Sequence, residues 1–78
     1  IGIEKDEIIK EFGRNLRAER NRAGYSQDGL AIMAGLCAGK HLGKIERGET
    51  NPSLTTIVAL LECLDIDFDK LYTLKKQE

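Results

Sequence analysis

Long apolar runs are missing from this 78-residue chain. Its uninterrupted apolar stretches, such as the one holding Val58 to Leu61, fall far short of the roughly 20 residues a membrane-spanning helix needs. No apolar run opens the sequence, so the expected location is the cytoplasm, with no membrane partner. Cysteine and histidine are also scarce: Cys37, Cys63 and a single histidine, His41. These are too few ligands for a structural zinc site, and no C-x-x-C pair is present. Free intracellular thiols are the reading, with a disulfide as the open alternative. One histidine without a paired nucleophile and base makes no catalytic constellation, so neither an enzyme nor a cofactor is expected. Proline occurs once, at Pro52. Internal repeats, low-complexity segments and linkers are absent, and one domain is expected over residues 1–78. Nor does any segment alternate with period two as a half-buried strand would.

What is present is ordinary globular composition, 41% hydrophobic and 32% charged. A chain this short buries only about 60% of its unfolded surface, so it gains from a partner subunit. The net charge of −1 hides a partition. Residues 1–13 carry two positive and four negative side chains, residues 14–47 seven and three, and residues 48–78 three and six. A middle segment of +4 between ends of −2 and −3 orients the molecule on a polyanion and keeps its other face away.

The apolar spacing predicts helices throughout. Ile8, Ile9, Phe12 and Leu16 form a stripe on a first helix, from about Asp6 to Ala23, which Gly24 stops. Ser26 caps a short second helix, Gln27 to Ala34, with Leu30 and either Met33 or Ala34 inward, and Gly35 breaks it. A third helix carries Leu42 and Ile45 inward and ends at Gly48. Asn51, Pro52 and Ser53 form a turn, Ser53 capping a fourth helix with Leu54, Ile57, Val58, Leu61 and Leu64 at helical spacing. Asp67 is expected to cap a short fifth helix presenting Phe68, Leu71 and Tyr72.

A short capped helix, a glycine turn and a second short helix hold a helix out for a DNA major groove. The residues in that stretch carry a resemblance. Gly24-Tyr25-Ser26-Gln27, Leu30-Ala31, Ala34-Gly35-Leu36, Leu42-Gly43-Lys44-Ile45-Glu46-Arg47-Gly48 and Asn51-Pro52-Ser53-Leu54 are similar to the lambda-repressor-like, or xenobiotic-response-element, helix-turn-helix family. The match runs from about Phe12 to about Leu71. It implies an all-α, compact five-helix DNA-binding domain, with the helix-turn-helix at about 26–48 and dimerisation at about 54–74. Small members include the controller proteins of restriction-modification systems, phage repressors and antitoxins.

On a helical wheel, with Leu42 and Ile45 inward, Lys40, Lys44 and Arg47 face outward. Arg47 and Lys40 are the candidates for guanine O6 and N7, and His41 flanks the helix with an edge toward phosphate or base. Ser26 is both cap and candidate contact at a helix N-terminus, and Gln27 is expected on a phosphate. Arg17 is assigned mainly to phosphate. Arg20 is assigned mainly to pairing with Glu46, which resembles the family's partly buried acid. Asn51 and Ser53 combine turn and cap roles with possible donation to the duplex.

The sequence departs from the family pattern between Gly35 and Leu42, where it has one residue more and carries Cys37-Ala38-Gly39. The extra residue is to be absorbed in the turn or in the first turn of helix three. Gly39 and Gly43, four apart, leave a small face for a phosphate backbone or another helix. Leu61, Phe68, Leu71, Tyr72 and Leu74 exceed the needs of a small core, and the exposed remainder is the expected two-fold interface. Residues 1–11 extend helix one and brace the partner, and the tail from Lys75 is expected to fray.

The function expected is a sequence-specific transcriptional regulator, a homodimer on a pseudo-palindromic double-stranded DNA operator. The alternative is a protein-interaction module on the same fold, such as an antitoxin or a degenerate dimerising domain. Contact with RNA polymerase or a toxin stays open.

Overall fold

The computed structural model describes residues 4–74; the expectations for Ile1 to Ile3 and for the tail from Lys75 lie outside them. The chain forms α1 (Lys5–Ala23), α2 (Gln27–Met33), α3 (Gly39–Glu46) and α4 (Leu54–Leu64), followed by a single 3₁₀ turn, Phe68–Lys70. Among the described residues there are therefore four α-helices, not five. The Asp67 side chain makes no cap hydrogen bond, so nothing local prolongs the 3₁₀ turn.

Each α-helix ends in the same way. The first or second residue past the end takes a left-handed conformation, and the next backbone N–H returns to a carbonyl five residues back. These bonds run from Tyr25 to Arg20, Leu36 to Ala31, Glu49 to Lys44, and Ile66 to Leu61, at 2.8–3.1 Å. Gly35, at φ +77°, makes the reversal between α2 and α3. Asp65 takes the same role after α4 at φ +55° without being glycine. Tyr25, Leu36 and Ile66, the residues after the reversals, pack on the core.

That core is Phe12 and Leu16 from α1, Leu30 and Ala31 from α2, Leu42 and Ile45 from α3, Leu60 and Leu64 from α4, and Leu71. Ala34 rather than Met33 is the inward residue at the end of α2, since Met33 is exposed. In α4 the expected stripe is rotated: Leu54 is 75% exposed and Val58 is also exposed, whereas Leu60 is fully buried. The largest correction is Leu71. Expected at the dimer interface, it is fully buried within its own chain, and its carbonyl accepts a 2.8 Å hydrogen bond from Asn15 Nδ2 of α1. Cys37 is exposed and Cys63 half-buried, both as free thiols.

Candidate nucleic-acid interface

α3 is held by α2 and α1. Its inner side buries Leu42 and Ile45 completely, and Lys40, His41, Lys44 and Arg47 are exposed. An eight-residue helix with only two large apolar side chains inward needs help at its ends. Ala38, at the N-cap position, offers no side-chain acceptor. Asp28 of α2 supplies it instead, its Oδ1 accepting from Gly39 N at 3.1 Å. A Cβ at Gly39 would collide with Asp28, so the glycine is what lets α2 come this close. α3 is regular from Gly39 onward, and the connection 34–38 lies between it and α2.

The C-terminal end of α3 is fixed by a buried ion pair. Arg20 Nε and Nη2 donate to Glu46 Oε2 and Oε1 at 2.6 and 3.1 Å, and Arg20 Nη1 donates to Tyr25 O at 2.9 Å. A carboxylate at a helix C-terminus opposes the helix dipole, and the arginine offsets this. Arg20 thus takes the structural role expected of it. The Glu46 carboxylate accepts a third hydrogen bond, at Oε1, from Gln27 Nε2 at 3.1 Å. Gln27 therefore spends one amide N–H inside the protein, with its other N–H and Oε1 left for a contact. α1 crosses the same end of α3 at Gly13, where a Cβ would meet the carbonyls of Ile45 and Glu46.

Gly43 is buried under two of the candidate contacts. A Cβ there would lie 3.0 Å from Arg47 Nη1 and 3.4 Å from Gln27 Nε2. The small face of α3 is thus filled by neighbouring side chains: Asp28 over Gly39, Gln27 and Arg47 over Gly43. Arg47 in turn donates from Nε to Glu49 Oε2 at 2.7 Å and from Nη2 to Oε1 at 3.4 Å. The hydrogen bond from Arg47 holds the Glu49 carboxyl below the usual carboxylate range, and the charges of Arg47 and Lys44 add to the effect.

The remaining predicted residues are exposed. Arg17 lies on α1. The Ser26 hydroxyl accepts from Gly29 N at 2.9 Å, which leaves its proton free to donate. Ser53 accepts from Thr56 N and its hydroxyl donates to Thr56 Oγ1 at 3.0 Å, so its capping duty uses the proton as well. Asn51 is exposed in the turn before it. The expected interface residues divide: Phe68 and Leu74 are exposed, Leu61 and Tyr72 are half-buried against the core, and Leu71 is core. Asp28 and Glu49 were missed by sequence reasoning. No local pattern marks an acid that caps the following helix, or one that forms a pair three residues past a helix end.

Residues 16–71 match the family described as Helix-turn-helix. The chain is 40% identical over 60 residues to the uncharacterized HTH-type transcriptional regulator YazB of Bacillus subtilis, covering 77% of this chain and 86% of that protein. It is 38% identical over 66 residues to control protein C.SmaI of Serratia marcescens, covering 83% and 77% respectively. The crystal structure of the restriction-modification controller protein C.AhdI from Aeromonas hydrophila has the same fold. The TM-score is 0.76 at 38% sequence identity, over 85% of this chain and 97% of that one.

Proposed function

The chain belongs to the lambda-repressor-like helix-turn-helix family of DNA-binding transcriptional regulators, and on that premise we propose that it binds a pseudo-palindromic operator as a homodimer, with α3 in the major groove. The observation that carries this reading is the outward face of α3, with Lys40, His41, Lys44 and Arg47 exposed over a fully buried Leu42 and Ile45. A groove-reading helix has this division, one side anchored and the other cationic. Arg47 is the base reader, because a guanidinium satisfies guanine O6 and N7 together. Lys40, Lys44, Arg17, Ser26, Gln27 and Asn51 position the backbone, while the Ser53 hydroxyl is committed to its cap. Phe68 and Leu74, with Leu61 and Tyr72 behind them, form the two-fold contact at the acidic end. The protein acts in the cytoplasm, and the similarity to controller proteins favours a regulated restriction-modification operon.

Selection from random duplexes, followed by titration across salt, tests this reading. A discrete operator is expected, with log K falling against log salt at about −0.9 per phosphate neutralised. Arg47→Ala should relax base preference, at a cost of about 1–3 kcal/mol at one position. Lys44→Ala should weaken binding to all sequences alike and flatten the slope by about one. A flat salt response, or no selected sequence, would replace the regulator with an interaction module on the same fold.

A further inference from the structure

An arginine has five N–H donors on three nitrogens, and which of them are already engaged decides which edge it presents. In Arg47, Nε and one Nη2 hydrogen face Glu49 at 2.7 and 3.4 Å. Nη1 lies over Gly43. The edge formed by Nη1 and Nη2 keeps three N–H groups, including the parallel pair that matches guanine O6 and N7. Both partners are exposed.

We propose that Glu49 is a specificity-determining residue, holding Arg47 by its Nε side so that the far edge is offered to a guanine while its own charge disfavours phosphate. The inference rests on the reading of Arg47 as a base contact. A phosphate gripping the free edge brings a full negative charge close to the Glu49 carboxylate. Guanine O6 and N7 carry only partial charges, so that repulsion is much smaller for a base than for the backbone. Glu49 therefore subtracts more from non-specific binding than from operator binding. Exposed ion pairs are weak, so the device biases the side chain without locking it.

The test is the ratio of affinities for the selected operator and for a random duplex at one salt concentration, measured for the parent, Glu49→Gln, Arg47→Ala and the double variant. Glu49→Gln should raise random-duplex affinity about 2- to 5-fold, with a smaller gain on the operator, so that the ratio falls. In the Arg47→Ala background the same substitution should leave the ratio unchanged. A ratio in Glu49→Gln that equals or exceeds the parent's, while Arg47→Ala has lost base preference, overturns the role of Glu49 and leaves the reader in place. An equal fall without Arg47 also overturns it, because Glu49 is then only a charge near DNA. An Arg47→Ala variant with the parent's full base preference removes the reader itself.

Discussion

Arg20 joins three parts of the molecule through one side chain: α1 that bears it, Glu46 at the end of α3, and the Tyr25 carbonyl where the chain turns into α2. Arg20→Ala leaves the buried Glu46 carboxylate with Gln27 as its remaining side-chain donor. Breaking a buried pair from one side costs about 3–5 kcal/mol, much of the stability of a domain this small. Thermal denaturation followed by circular dichroism should show a drop of at least about 12 °C. A shift of only a few degrees would mean that the carboxylate finds water. The Arg47–Glu49 pair behaves differently, being exposed. Its checkable property is titration: the Glu49 carboxyl resonance should have its midpoint below the ordinary glutamate value and move up in Arg47→Ala. A carboxyl depressed by a partner keeps the interaction above its ordinary pKa and loses it as pH falls through the lowered one, so the pair persists through neutral pH. The Arg20–Glu46 pairing was legible because both residues fall at family-matched or adjacent helical positions. The Arg47–Glu49 pair was not, since it forms beyond the last helical turn, where spacing carries no fixed geometry.

α3 depends on α2 for its beginning, and the dependence sits in one hydrogen bond from Gly39 N to Asp28 Oδ1. Asp28→Ala removes the side-chain cap at the start of α3, at a cost of about 1 kcal/mol. Asp28→Asn keeps an acceptor oxygen and should retain most of that stability. Urea unfolding of the two variants is the measurement: no loss in Asp28→Ala would show that the cap contributes nothing and that packing alone sets the start of α3. Helix ends were the most legible elements, because Gly24, Gly35 and Gly48 mark three of the four. The fourth, Asp65, carries no such mark. The inward face of α4 was the least legible. Leu54, Ile57, Val58, Leu60, Leu61 and Leu64 span about 160° of a wheel, and Ala59 and Cys63 widen the apolar arc to about 260°, so a wheel offers several possible faces. Only packing against the other helices selects Leu60 and Leu64 as the deepest.

At the scale of the whole molecule, the proposed dimer rests on a division of labour among the residues that follow α4. The segment after α4 does two jobs with neighbouring side chains. Leu71 closes the core of its own chain and is tied to α1 through Asn15, whereas Leu74 is 75% exposed. Phe68 is also exposed, its ring tilted against Phe12 and Tyr72 with centroids 6.4 and 6.5 Å away. These two kinds of site predict two kinds of defect. Leu71→Ala deletes a fully buried side chain and should cost about 2–5 kcal/mol, lowering stability at every protein concentration. Phe68→Glu combined with Leu74→Glu adds two charges at exposed positions, beside Asp67 and Asp69. It should leave the helical signal near that of the parent and shift sedimentation from dimer to monomer. Operator affinity should fall with it, because only a two-fold pair sets two α3 helices about 34–36 Å apart, one turn of DNA. Analytical ultracentrifugation with circular dichroism on both variants is the measurement. If the double variant remains dimeric, the two-fold contact uses a different exposed apolar surface, with Leu54 and Val58 on α4 as the next to test. If the parent sediments as a monomer at concentrations where it fills the operator, two-fold binding is set by the DNA and not by a preformed dimer.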